Sequence, residues 1–263
     1  MHPRRSNRRW RFLVAPPRSG AENMARDVAL QARAARTGEA VFSIYTWMRP
    51  TLSFGRNQTA SGLYDLERIR AAKIDVVRRP TGGRAILHHR EVTYSVTAPI
   101  EGESLHDTYS AINRILQLGL STLGVLVEAA AGSGRAEVPD IKPCFETPAK
   151  GELIADGAKL VGSAQWRENG ALLQHGSILV DDDQSTLLDL SVTPVKSGHW
   201  SPPASLHSLL GRAPDSAEVA TAMHEAVRSL EDPEVSDLDE REVRPAMFER
   251  VPQFLDERWT WRR

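Results

Sequence analysis

The chain has 263 residues, 41% of them apolar and 25% charged, the proportions of one large globular domain or two small ones and not of a disordered, collagen-like or coiled-coil chain. Lys and Arg number 33 against 34 Asp and Glu, a net charge of -1, which argues against a nucleic-acid binder driven by bulk positive charge. A single cysteine excludes an intramolecular disulfide and any metal site built on several thiolates.

The N-terminal stretch carries Arg4, Arg5, Arg8, Arg9 and Arg11. Its arginines precede Phe12-Leu13-Val14, but Ala15-Pro16-Pro17-Arg18 breaks that run well short of the roughly 7–15 apolar residues of an export signal. No window approaches the ~20 apolar residues of a membrane span. The expectation is a cytoplasmic protein with no membrane partner, a solvated basic arm over 1–20, a single domain over 21–250 and a tail over 251–263.

Trp10 to Val14 reads as a short strand. Ala21 to Arg36, with Met24, Val28 and Ala32 four apart and Gly38 beyond, reads as a helix. Val41 to Met48 is β-rich and meets Pro50. Asp65 to Ala72 suits a short helix and Ile74 to Arg78 a strand. Pro80-Thr81-Gly82-Gly83 marks a turn before strands over Ala85 to His88 and Val92 to Ala98. Asp107 to Leu123 is amphipathic, with Ile112, Ile115, Leu116 and Leu120 on one side. Ala129 to Pro143 is small, polar and loop-like. Strands over Glu152 to Ala155, Lys159 to Trp166 and Leu172 to Val180 are joined by Asp156-Gly157 and Asn169-Gly170, the preferred two-residue hairpin turns. Asp181-Asp182-Asp183 then ends the sheet, as a solvated turn capping the next helix or as a metal-binding run. Pro194 to Pro203 is loop, Ser216 to Leu230 a helix, and the remainder charged and less regular. Hairpin-joined central strands favour an α+β domain with a mixed, mostly antiparallel central sheet flanked by helices over a doubly wound parallel sheet.

Phosphate-loop, dinucleotide, nucleophile-elbow and zinc-helix motifs are absent from the sequence. Two segments stand out instead. Arg78-Arg79-Pro80-Thr81-Gly82-Gly83-Arg84-Ala85-Ile86-Leu87-His88 is either a hairpin turn with surface arginines or a backbone cradle for a ligand. Pro143-Cys144-Phe145-Glu146 leads into Gly157-Ala158-Lys159-Leu160-Val161-Gly162-Ser163-Ala164-Gln165. Cys144 is either a small buried hydrophobe or a nucleophile. A thiol of ordinary pKa, near 8.5, is only about 3% ionised at pH 7, so a nucleophile needs a nearby cation, which Lys159 would supply. Regular strand alternation groups Lys159, Val161 and Ser163 on one face. On the other, small Gly162 and Ala164 leave room for an apolar chain or for the Cys144 loop.

Taken together, Arg79-Pro80-Thr81-Gly82-Gly83-Arg84-Ala85 through His88, Thr93-Tyr94-Ser95-Val96, Gly157-x-Lys159-x-x-Gly162-Ser163-Ala164-Gln165 and Gln174-His175-Gly176 resemble the biotin/lipoate A/B protein ligase superfamily. Asn23-Met24 with Asp27 and Leu30, and Ser53-Phe54-Gly55-Arg56-Asn57-Gln58, fit its earlier motifs. The likeness spans roughly 21–230. Pro143-Cys144-Phe145 is similar to the octanoyltransferase branch, which carries a cysteine before the Gly-x-Lys strand. Arg84, where ligases usually have a third glycine, also fits a transferase better. No stretch resembles the ligases' accessory domain. The resemblance implies transfer of an octanoyl group from octanoyl-acyl carrier protein to a lysine of a lipoyl-domain protein such as the glycine-cleavage H protein. It implies Cys144 and Lys159 as catalytic residues. It also implies substrate contacts from Arg79, Thr81, Gly82, Gly83, Arg84, His88, Gly162, Ser163, Ala164, His175 and Gly176, with no metal, cofactor or nucleic acid. Arg78, Arg79, Arg84 and Arg90 either dock an acidic carrier or are dispersed surface charges. His89, where relatives commonly have an acid, receives no role. The rival readings are an ATP-dependent lipoate or octanoate ligase, an amidotransferase between lipoyl domains, and a non-catalytic carrier-binding module.

Overall fold

The computed structural model describes residues 8–131, 144–145, 148–193 and 201–262. In chain order the elements are β1 (Trp10–Val14), α1 (Gly20–Thr37), β2 (Ala40–Tyr45), β3 (Thr51–Phe54), α2 (Leu66–Ala71), β4 (Asp75–Arg78), β5 (Ile86–His88), β6 (Glu91–Pro99), α3 (Leu105–Thr122), β7 (Glu128–Ala129), β8 (Leu153–Ala155), β9 (Ala158–Glu168), β10 (Ala171–Leu179), α4 (Thr186–Asp189), α5 (Leu206–Leu210), α6 (Ser216–Leu230), β11 (Ser236–Asp237), α7 (Arg244–Phe248), α8 (Val251–Leu255) and α9 (Glu257–Thr260).

Local chemistry sets the main elements. Ser19 and Glu22 form a reciprocal capping box at the start of α1, and Gly38 ends the helix in the left-handed conformation. Asp156 and Gly157 have φ of 49° and 77°, and Asn169 and Gly170 have 48° and 80°. Two consecutive positive φ angles match the twist of the flanking strands, so β8, β9 and β10 form successive hairpins. The large sheet runs β11-β1-β2-β6-β10-β9-β8-β7 among the described residues. Its β11-β1-β2 edge is parallel and the rest antiparallel. Helices α3 and α6 cover one face, burying Leu116, Leu120 and Met223 against Phe42 and Tyr94. On the other face α1, α7 and α8 bury Met24, Leu30, Met247 and Phe254 with Val41 and Tyr45. This is the expected α+β architecture with helices on both faces.

Four expectations change. Strand β3, absent from the sequence reading, pairs parallel with β4 and antiparallel with β5 in a second sheet. The Pro80–Gly83 segment therefore joins two strands that are not neighbours, and is not a hairpin turn. Strand β1 lies between β11 and β2 with Trp10 and Phe12 buried, so the basic arm ends before Trp10 and not at residue 20. Arg8 pairs with Glu101 and Glu103. The expected tail contains α8 and α9. Phe254 is buried, Arg78 Nε donates to the Thr260 carbonyl at 2.8 Å, and Trp259 Nε1 donates to the Arg78 carbonyl at 2.9 Å. The acidic run does not cap α4: the cap is Ser185 without a side-chain bond, while Asp181 pairs with Arg90 at 2.6 Å. The loop expected over 129–143 lies outside the described residues from 132 on, as do Pro143, Glu146 and positions 194–200. No helix among the described residues is long and apolar enough to cross a membrane.

Candidate active site

The β8–β9 hairpin aims Lys159. Leu153 pairs with Val161, but Ile154 pairs with Lys159, which leaves Leu160 as an extra residue on β9. Such a bulge breaks the two-residue alternation. Lys159 consequently points to the side of Gly162, not of Ser163 as alternation predicts. A Cβ on Gly162 would lie 3.0 Å from Lys159 Cε and 3.3 Å from the Phe145 ring. The bare glycine makes the room that the Cys144 loop and the lysine stem occupy, as expected of the small residues on this strand.

Lys159 is buried, and its Nζ makes three contacts. It donates to the Cys144 carbonyl at 2.7 Å and to Cys144 Sγ at 3.3 Å, and pairs with Glu152 Oε1 at 2.7 Å. Burial pushes its pKa down, but the charges of Cys144 and Glu152 outweigh burial and raise it above the ordinary lysine value. Glu152 Oε2 accepts from the Ala149 N–H at 2.7 Å, so both carboxylate oxygens are held. Cys144 is anchored on the other side: its N–H donates to the Ala85 carbonyl at 3.0 Å, and Phe145 packs with Ile86 and Leu179. The thiol is thus clamped between the segment entering β5 and the start of β9.

The glycine turn wraps a buried guanidinium. Arg79 Nη1 donates to the Ser53 carbonyl at 3.0 Å and to Ser53 Oγ at 2.5 Å, and Nη2 donates to the Gly82 and Arg84 carbonyls at 3.1 and 2.8 Å. Burial lowers the Arg79 pKa to about 10, opposed by the charge of Cys144. Two carboxylate–imidazole–hydroxyl chains flank this turn. In one, Ser53 Oγ contacts His88 Nε2 at 2.7 Å and His88 Nδ1 contacts Glu91 Oε1 at 3.3 Å. Because the Glu91 carboxylate only accepts, the imidazole proton sits on Nδ1, which leaves Nε2 to accept from the Ser53 hydroxyl. In the other, Thr81 Oγ1 contacts His175 Nε2 at 2.6 Å, His175 Nδ1 contacts Asp27 Oδ2 at 2.7 Å, and the Tyr45 hydroxyl donates to the same oxygen at 2.9 Å.

Burial pulls the His88 pKa below 6.5, with Glu91 opposing. The unfolded chain takes up a proton near pH 6.5 while the folded chain resists it, so stability falls as pH drops below about 6.5. His88→Gln is expected to narrow the gap between denaturant midpoints at about pH 5 and about pH 7.5. An unchanged gap contradicts a buried neutral His88.

A small, partly open and mostly apolar cavity lies beside the thiol. Cys144, Arg79, Gly83, His88, Gly162, Ser163, Ala164, His175 and Gly176 all line it, and Met24, Tyr45, Trp47 and Ile86 add apolar wall. Of the remaining expected residues, Lys159 stands behind the sulfur, Thr81 behind His175, and Gly82 and Arg84 offer carbonyls to Arg79. Arg78 and Arg79 are 0% and 3% exposed, so they cannot dock a carrier protein and only Arg84 and Arg90 keep that expectation. The sequence reading did not assign Glu152 and Glu91 to the site, nor the contact of Asp27 with His175.

Residues 19–228 match the lipoyl protein ligase A/B catalytic domain. Over 183 residues the chain is 44% identical to the octanoyltransferase LipM of Carboxydothermus hydrogenoformans, covering 68% of this chain and 67% of that one. It is 36% identical to the octanoyltransferase LipM of Kyrpidia tusciae over 276 aligned positions, 97% and 99% of the two chains. In fold it is similar to a bipartite lipoate protein ligase of Thermoplasma acidophilum, with a TM-score of 0.78, 18% identity, and 97% of each chain covered. The matched family model and the near full-length likeness together establish that the chain belongs to the lipoyl protein ligase A/B catalytic domain family, on its octanoyltransferase branch.

Proposed function

We propose that the protein transfers an octanoyl group from octanoyl-acyl carrier protein to a lysine of a lipoyl-domain protein, such as the glycine-cleavage H protein, through a thioester on Cys144, in cytoplasmic lipoate biosynthesis. The observation that carries this reading is the Lys159 ammonium 3.3 Å from Cys144 Sγ, beside a largely apolar cavity.

In the first step the Cys144 thiolate attacks the carrier thioester. A new C–S bond forms on Cys144, the carrier C–S bond breaks, and the carrier thiolate takes a proton from Lys159 and leaves as a thiol. One thioester replaces another, so the step is nearly balanced and requires no nucleotide. In the second step the acceptor amine attacks. A C–N bond forms, the Cys144 C–S bond breaks, the amine proton passes to Lys159, and the thiolate–ammonium pair returns. The amide is more stable than the thioester and draws the reaction forward. The octanoyl chain occupies the space bounded by Met24, Tyr45, Trp47 and Ile86. At about 0.8 kcal/mol per buried CH2, that burial contributes several kcal/mol to binding.

The test compares donors. Octanoyl-carrier protein without nucleotide is expected to modify a lipoyl-domain protein, whereas free octanoate with ATP and magnesium is not. Modification by free octanoate with ATP, and none from the carrier-bound acyl group, overturns the transferase reading in favour of a ligase.

A further inference from the structure

Glu152 is a buried carboxylate with no part in the two steps above. It lies ahead of β8 and reaches Lys159 because the Leu160 bulge turns the lysine toward it. Around Cys144 lie two buried cations, Arg79 and Lys159, and the Glu152 carboxylate, and in the mechanism above the Cys144 thiolate is a second anion. Acylation removes the thiolate charge. If Lys159 gives its proton to the departing carrier, one cation and one anion remain, and the site stays neutral. Glu152 and Arg79 are the fixed pair; Cys144 and Lys159 are the pair that switches.

We propose that Glu152 is a positioning residue for the acyl transfer: it holds the Lys159 amine against Cys144 and sets the pH at which the acyl-enzyme's Lys159 releases its proton. The inference rests on the Cys144 thioester reading and deepens it. Three donor bonds from one ammonium fix its direction, and Glu152 supplies the one that does not depend on the Cys144 segment. Once the sulfur is acylated, Glu152 is the anion that still favours the protonated amine. Across the cavity stand His88, whose pKa burial lowers, and His175, bonded to Asp27 and Thr81. Burial pushes the phenol of Tyr94 on β6 up to about 12, and that of Tyr109 on α3 further up. Arg79, at the end of β4, remains a cation at neutral pH.

The experiment separates the half-reactions. Octanoyl-enzyme is prepared with the full chain, its adduct on Cys144 verified by intact mass, and its single-turnover transfer to a lipoyl-domain protein followed from about pH 6 to about pH 10. Transfer is expected to rise with pH as Lys159 becomes neutral. In Glu152→Gln the rising limb should move to lower pH by about one to three pH units, the effect of losing an opposite charge within hydrogen-bond distance. Deacylation at neutral pH then becomes faster by tenfold or more, on the equivalence of one pH unit to a factor of about ten, while the acylation step becomes slower. Glu152→Asp should restore the limb toward wild type. A limb that does not move, or a variant that slows both half-reactions alike, overturns the inference. Failure to form any Cys144 adduct in the wild type overturns the thioester reading instead.

Discussion

Lys159→Ala is expected to lower the rate of Cys144 acylation at pH 7 by at least about fifteenfold, with partial recovery as pH rises. Without the ammonium, the thiolate has to form as an ordinary thiol does, with about 3% ionised at pH 7. Raising the pH supplies the missing thiolate but not the proton donor for the departing carrier, so recovery stays incomplete. Lys159→Ala also leaves Glu152 buried without its cation, a change that costs about 3–5 kcal/mol in buried pairs. A second variant with Lys159→Met and Glu152→Gln in the same chain removes both charges together. It is expected to keep the denaturant midpoint near wild type while acylating as slowly as Lys159→Ala. Equal wild-type and variant rates at both neutral and alkaline pH remove Lys159 from the chemistry.

Arg79→Ala is expected to disable the protein through the turn. Its guanidinium gathers the carbonyls of Ser53, Gly82 and Arg84, and no neighbouring solvent can replace it in a residue that is 3% exposed. Leaving buried acceptors unpaired costs about 1–3 kcal/mol for each group, and here several are released at once. The denaturant midpoint should therefore fall by several kcal/mol in equivalent stability, and the octanoyl adduct should be lost even where the fold is rescued by lower temperature. Arg79→Lys restores the charge but not the planar fork, so it should recover part of the stability and little of the turn geometry. Wild-type stability in Arg79→Ala contradicts the structural role of this arginine.

The parts of the fold written in local chemistry were legible. Asp156-Gly157 and Asn169-Gly170 require positive φ and place the hairpins. The apolar spacing and Asp215 cap of Ser216–Leu230 define that helix without reference to its neighbours. Strand β3 was missed because Thr51–Phe54 is only four residues long: its Thr-Leu-Ser-Phe alternation is too short to stand out after Pro50, and all four residues are buried. The site was legible where its residues lie in one segment, as in Arg79 to His88 and Lys159 to Ala164. The carboxylates escaped because Asp27, Glu91 and Glu152 come from α1, β6 and the approach to β8, and only the folded chain joins each to its partner. The face assigned to Lys159 was wrong for a definite reason: no sequence signal marks the extra residue at Leu160. The C-terminal residues looked like a tail because Phe254, Trp259 and Thr260 stand among charges, yet their partners lie on α1 and β4.

The most direct measurement is intact mass spectrometry of the protein mixed with octanoyl-carrier protein in the absence of an acceptor. Cys144 is the only cysteine in the chain, so a thioester adduct has one address. The wild type should gain one octanoyl group that hydroxylamine removes, and Cys144→Ala should gain none. An adduct that persists in Cys144→Ala, or a wild type that modifies its acceptor without ever carrying the acyl group, would contradict a cysteine-borne intermediate.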